Sequence, residues 1–160
     1  MESNLESNPE NKGPLGTNIV TQVAFLVNDI EKAIKSFAAL LGVDPPDCIV
    51  TGPIEETQAE YKGKPCEATA KLAFFYVGGH LTIELIEPDH TPSVWRDDLN
   101  KNGQGVHHLA FVVDGMKHVI GRLEDAGFPL VQKGEYPGGR YAYMDTNSAI
   151  HTMIELLEND

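Results

Sequence analysis

From residue 19 onward the apolar positions switch between two spacings, every second residue and every third to fourth, and the order of the switches occurs twice. Residues 19–27 (IVTQVAFLV) are β-branched and aromatic and predict a strand. Asn28 and Asp29 offer a helix cap. Ile30, Ala33, Ile34, Phe37, Leu40 and Leu41 then fall on one helical face, and Gly42 supplies the stop. Pro45, Pro46 and Pro53 bracket a short strand at 48–51, and the polar stretch 55–65 reads as a loop. Residues 68–77 and 81–87 predict a hairpin about Gly78 and Gly79, ended by Pro88. A connector with a short helix over 94–100 leads to the second half. There 105–113 predict a strand and Asp114 a cap. Met116, Val119, Ile120, Leu123 and Ala126 form a helical stripe stopped by Gly127. Residues 128–133 predict a strand, 134–139 a glycine-rich loop around Pro137, and 140–145 and 152–158 the closing strands.

The two halves superpose by number. A shift of 86 lays residues 20–27 on 106–113, with Val20, Ala24, Phe25 and Val27 falling on Val106, Ala110, Phe111 and Val113. A shift of 71 lays Ile83-Glu84-Leu85-Ile86-Glu87 on Ile154-Glu155-Leu156-Leu157-Glu158. The chain is therefore a tandem βαβββ duplication of α+β class, with module one over 18–90, a connector over 91–103 and module two over 104–160. A lone unit cannot cover its sheet, so the two share a core in one domain, 18–160.

Strand alternation sorts the side chains by face. Val23, Phe25 and Val27 pack under the first helix, and Leu109, Phe111 and Val113 under the second. Ile83, Leu85, Ile154 and Leu156 take the same side. Gln22, Glu84, His108 and Glu155 point to the other face, at equivalent places in the two modules. A pseudo-twofold axis brings these four into one cleft. Two carboxylates, an imidazole and an amide oxygen suit one divalent ion (Co, Ni, Mn, Zn or Mg) with positions left open for water or substrate. Alternation puts His107 on the helix side as a structural histidine. It puts Glu87 and Glu158 on the far face, exposed. His80, His90 and His118 read as solvated, and His151 stands at a strand start.

Charge narrows the partners. Twenty-four acids against twelve bases give −12, which argues against a nucleic-acid or anionic-membrane partner, since both need a basic face. The longest apolar run, 72–77, is far short of the ~20 residues of a membrane helix. Cys48 and Cys66 lack metal-ligand or disulfide spacing, which predicts a reduced, cytoplasmic setting. Residues 1–17, rich in Asn, Glu, Ser and Pro, carry no signal-peptide pattern and read as a flexible tail.

The strand pattern, the repeated IEL strands and the segments NDIEKAI (28–34), IELIEP (83–88), GVHHLAF (105–111) and MIEL (153–156) resemble the vicinal oxygen chelate (glyoxalase, bleomycin resistance, dioxygenase) superfamily, and within it the methylmalonyl-CoA epimerase-like proteins. The resemblance runs from Thr17 to Glu158. It implies a cupped, partly closed β-barrel with flanking helices. It also implies metal ligands on the first and last strands of each module, which match Gln22, Glu84, His108 and Glu155. The activity implied is a metal-dependent isomerase or lyase that abstracts a proton next to a carbonyl through an enolate, with Glu155 as main base and Glu84 serving the other face. A small carbonyl or thioester substrate and a homodimer come with it. Lys71, Lys133, Arg140 and Tyr143 are the candidate substrate-binding residues, and 134–139 is either a lip over the cleft or a plain hairpin loop. Where the epimerase usually has histidine this chain has Gln22, and the Gln, Glu, His, Glu set is that of many glyoxalase I enzymes. The glyoxalase I ending, however, is replaced by Tyr141 to Asn147. A glyoxalase I-like lyase and a drug-binding protein of the bleomycin resistance type are the alternatives. Gln22 in place of a second histidine argues against an iron dioxygenase.

Overall fold

The computed structural model describes residues 13–160, so the first twelve residues of the expected tail lie outside the described residues. Residues 13–16 are not free: they turn back so that the Pro14 carbonyl accepts from Arg122 Nε, and Leu15 packs on the core of the second module. The first module contributes β1 (Gln22–Leu26), α1 (Ile30–Leu41), β2 (Ile49–Val50), α2 (Ile54–Thr57), β3 (Glu60–Tyr61), β4 (Lys64–Pro65), β5 (Ala70–Val77) and β6 (Leu81–Pro88). The connector carries α3 (Val94–Asn102). The second module contributes β7 (Gly105–Val112), α4 (Met116–Asp125), β8 (Leu130–Tyr136), β9 (Gly139–Met144), α5 (Asn147–Ile150) and β10 (Met153–Asn159).

These strands form one mixed sheet in the order β2-β5-β6-β1-β7-β10-β9-β8-β3-β4. The order is symmetric about the β1–β7 seam for four strands on each side, with β3 and β4 of the first module added beyond β8. On one side β1 pairs parallel with β6, and on the other β7 pairs parallel with β10; β1 and β7 run antiparallel. The modules thus pair within the chain. Accumulated strand twist curls the sheet into a half-barrel, as the family resemblance implies. The apolar stripes of α1 and α4 cover its convex face. Ile30, Ile34 and Ala38 pack on Phe75 and Leu85, while Met116, Val119 and Leu123 pack on Phe111, Ile154 and Leu156. The connector helix α3 enters the concave side, where Val94, Trp95 and Leu99 pack against Ala24, Leu26, Ile86 and Tyr143. No described helix is long and apolar enough to cross a membrane.

Four local details differ from the sequence expectation. The segment 55–65 is not a plain loop: α2, β3 and β4 carry the chain from β2 at one edge of the sheet to β8 at the other, where Glu60 and Tyr61 pair with Lys133 and Gln132. This strap crosses the open side of the cup. The stretch 134–139 is mostly strand, with only Pro137 and Gly138 between β8 and β9. A Cβ on Gly134 would stand 2.7 Å from the Tyr141 hydroxyl, so glycine there lets that ring lie over the backbone. The cap of α4 is Gly115 in a left-handed conformation, φ 67°, and not Asp114.

Glu87 and Glu158 are the fourth difference. The N–H of Ile30, the first residue of α1, donates to Glu87 Oε2 at 2.8 Å, and that of Met116, the first residue of α4, donates to Glu158 Oε1 at 2.9 Å. The two latches are equivalents in the repeat. Each places a carboxylate where a helix has unpaired donors and positive potential. The Met116 amide, helped by Arg140, holds the Glu158 carboxyl below its usual range. A depressed pKa stabilises the fold above the ordinary glutamate range and ceases to do so as pH falls through the depressed value. Glu158→Gln is therefore expected to lower the unfolding midpoint at neutral pH. The gap to the parent protein should close on acidification; a gap independent of pH would refute the latch.

Candidate metal centre and cavity

Four small facts of register assemble the site. Ala24 lies beside Glu84 across β1–β6, and Ala110 lies beside Glu155 across β7–β10, the same pairing in both modules. Across the seam Gln22 faces Ala110 and Ala24 faces His108. Ala24 and Ala110 are fully buried, and their single methyl groups leave the space between the strands to the longer side chains. Gln22, Glu84, His108 and Glu155 consequently project from four adjacent strands into the concave side.

His108 Nε2 stands 3.0 Å from Glu155 Oε2 and 3.4 Å from Glu84 Oε2. These are ion-pair distances without hydrogen-bond geometry. Gln22 Oε1, Glu84 Oε2, His108 Nε2 and Glu155 Oε2 are all buried, and all lack a hydrogen-bond partner. The histidine and two carboxylate atoms lie within 4.8 Å of one another. With metal–ligand bonds of ~2.1 Å, neighbouring ligands sit about 3.0 Å apart in an octahedron and about 3.4 Å apart in a tetrahedron. The separations on His108 are of this order, and the donor set fits one divalent cation.

Burial opposes charge on His108, but Glu155 and Glu84 outweigh it and push its pKa up to about 9. Burial raises the Glu84 carboxyl, with the nearby Glu155 acting in the same direction and His108 against it. In the absence of a metal, a proton on His108 takes the place of the cation between the two acids.

Behind the ligand set lies a pair that alternation misplaces. The β1–β7 register shifts between Ala24 and Phe25, whose partners are His108 and Val106, so His107 is the extra residue of a β-bulge. The bulge turns its ring away from the helix side. His107 Nε2 meets Asp98 of α3 at 2.8 Å, and its Nδ1 meets His108 Nδ1 at 3.0 Å. Burial lowers the His107 pKa although Asp98 pulls it the other way, so the ring is neutral. Asp98 is an acceptor and therefore fixes the proton on His107 Nε2. His107 Nδ1 then accepts from His108 Nδ1–H, which leaves His108 Nε2 as the atom turned to Glu84 and Glu155.

Gln22, Glu84 and Glu155 stand at the wall of a cavity of about 890 Å³, with His108 buried directly behind the two acids. Leu72, Phe74, Trp95, Tyr141, Tyr143 and Leu157 give it apolar and aromatic walls. Tyr143 is buried, and its hydroxyl accepts from Trp95 Nε1 at 3.0 Å. The other candidate substrate-binding residues are elsewhere. Lys71 pairs with Glu87 at 3.3 Å, Lys133 with Glu60 at 3.5 Å, and Arg140 with Glu158 at 2.8 Å and Asp160 at 2.5 Å; none of the three lines the cavity. His80, His90, His118 and His151 are exposed, and Cys48 and Cys66 are free thiols. Sequence reasoning missed Trp95, Phe74 and Tyr141 as walls and Asp98 as the partner of His107. No local spacing marks them, because α3 and β9 reach the site only through the curl of the sheet.

Two outcomes follow for metal binding. His107→Phe removes the acceptor for His108 Nδ1–H and should weaken binding about 10–100-fold, whereas His107→Asn, which keeps an acceptor, should recover part of it; equal affinities in competitive titrations would refute the relay. A metal must displace the His108 proton, so affinity should rise with pH up to about 9, with proton release seen by calorimetry in buffers of different ionisation enthalpy. Affinity that is flat with pH would contradict a charged His108.

Comparisons with known proteins agree with this architecture. Residues 21–143 match the model of the Glyoxalase/Bleomycin resistance protein/Dioxygenase superfamily. The uncharacterized protein YqjC of Bacillus subtilis is 30% identical over 95 residues, 58% of this chain and 67% of that one. The crystal structure of methylmalonyl-CoA epimerase from Mycobacterium tuberculosis superposes with a TM-score of 0.57 at 25% identity, covering 88% of this chain and 87% of that one. A variant of the Streptomyces coelicolor methylmalonyl-CoA epimerase in complex with 2-nitronate-propionyl-CoA superposes at 0.60 with 16% identity, covering 89% and 94%. With more than half its length matched by the family model, and the paired modules and curled sheet in place, the chain belongs to the glyoxalase, bleomycin resistance and dioxygenase superfamily.

Proposed function

We propose that the protein is a metal-dependent enzyme that moves a proton at a carbon next to a carbonyl, in the manner of the methylmalonyl-CoA epimerases its fold is similar to. The observation that carries this reading is the cluster of four buried polar atoms without partners, three of whose residues, Gln22, Glu84 and Glu155, line a roomy cavity. A protein that only sequesters a ligand has no use for such a set, which costs stability unless something fills it.

A divalent cation held by Gln22, Glu84, His108 and Glu155 supplies Lewis acidity toward the carbonyl oxygen and so lowers the cost of an enolate. The chain's own residues do the rest. Glu155 takes the proton from the carbon and returns it. Glu84, its counterpart across the pseudo-twofold, reaches the opposite face, as inversion at a carbon requires. Gln22 contributes a neutral oxygen, so the site carries two negative charges and not three. Phe74 and Tyr143, the strand partners of Glu84 and Glu155 on β5 and β9, exclude water on either side. The reading carries with it a cytoplasmic homodimer, as the family resemblance implies.

Deuterium incorporation next to the carbonyl tests this reading, with methylmalonyl-CoA and with the hemithioacetal of methylglyoxal and glutathione, each with added Co, Ni, Mn, Zn or Mg. Exchange into the first supports an epimerase and turnover of the second a glyoxalase I-like lyase. Glu155→Gln should lower exchange by about 10²–10⁴-fold while largely sparing metal binding. Full retained activity would reject Glu155 as the base.

A further inference from the structure

The charge of the cavity wall is one-sided. Its charged lining residues are Glu84 and Glu155 of the donor set, whose charge a bound cation or the His108 proton offsets, and beyond them Glu56 and Glu135; no lysine, arginine or histidine is among the lining residues. The cations on β5, β8 and β9 are paired: Lys71 with Glu87, Lys133 with Glu60, and Arg140 with Glu158 and Asp160. At the mouth, Glu56 of the strap is exposed and has no ion-pair partner among the described residues. A Cβ on Gly52 would stand 2.7 Å from Glu56 Oε2, so the carboxylate lies against Gly52, which itself lines the cavity. Beside it Ile49 and Val50 are exposed apolar residues, 51% and 64%, on the same rim. The wall therefore runs from the polar donor set, past Leu72, Phe74 and Trp95, to a rim that is apolar and acidic. A cleft lined by one sign of charge, on a chain of net charge −12, draws in cations and repels anions.

We infer that the site takes a carbonyl compound whose body, beyond the carbonyl end, is apolar and neutral or cationic, with no phosphate or free carboxylate outside the reach of the four donors. The carbonyl at the donor set rests on the function proposed above; the non-anionic body rests on the walls alone. Phosphorylated carriers such as coenzyme A, and the dicarboxylate glutathione, would bring anions to a mouth that offers Glu56 and no counter-charge. The site's preferred thioester or ketone is accordingly a compact one.

Three matched probes decide the point: acetophenones bearing at the para position a methoxy, a trimethylammonium or a phosphate group. Each is titrated by ligand-observed NMR into the full-length protein supplied with zinc. The neutral and cationic probes are expected to bind, with the phosphate at least about tenfold weaker at low ionic strength and the gap narrowing toward 0.15 M salt. Glu56→Lys, an exposed substitution, should shift the order toward the phosphate. Binding of the phosphate as tight as that of the ammonium, or no binding of any probe at millimolar concentration, would overturn the inference. Deuterium uptake into the methyl protons of the same probes reads the enolate chemistry separately. The expected binding order without uptake would count against the proposed function and not against the charge selection.

Discussion

Everything in this fold is arranged around four polar atoms that have been taken out of water and given no partner. An unsatisfied buried polar group costs about 1–3 kcal/mol, more when charged, against a total stability of about 5–15 kcal/mol for an ordinary protein. Four such atoms from Gln22, Glu84, His108 and Glu155 within one cluster are a large fraction of that margin. The duplication explains how the chain reaches this arrangement. Once one module places an acid on its last strand and a polar group on its first, pairing the first strands antiparallel brings two copies of each together. A cation bound as proposed above, or a proton on His108, would offset that cost.

The rest of the structure holds that cluster still. Ala24 and Ala110 clear the space, Phe25 and Phe111 anchor the same strands to the helices on the far side, and Glu87 and Glu158 pin the helices to the ends of the strands that carry Glu84 and Glu155. The ligand strands are thus clamped on both faces. On one side of His108, Asp98, on a helix that belongs to neither repeat, fixes the tautomer through His107 of β7. The connector is therefore part of the site. Its Trp95 also meets Tyr143 edge-on, with ring centroids 6.1 Å apart, and closes the cup behind the ligands.

Much of this was legible in the sequence because it depends on period and repetition. Alternation in VAFLV and HLAFVV, and the recurrence of IEL, specify the two faces and hence the strands from which Gln22, Glu84, His108 and Glu155 project. What the sequence hides is of three physical kinds. A bulge breaks alternation without a glycine or proline to announce it, and so moves His107 across the sheet. Pairings distant in sequence, such as Glu60 with Lys133, depend on the curl of the sheet, so the strap over 55–65 reads only as a polar loop. Long side chains on an outer face curl back onto backbone donors or acids. Hence Glu87 and Glu158 are latches, and Lys71 and Arg140, which look available for a substrate anion, are held by them.

The claim on which this account stands is that the cluster is a cation site, and its most direct measurement is stoichiometry joined to stability. Protein stripped of metal and reloaded with Mn, Co, Ni, Zn or Mg should retain one equivalent per chain of at least one of them. The reloaded protein should be more stable by about 2.7 kcal/mol once the free ion exceeds its dissociation constant a hundredfold. The gain should be lost when His108 and Glu155 are both replaced. Protein that retains no ion, and whose unfolding midpoint none of the five moves, would contradict the account.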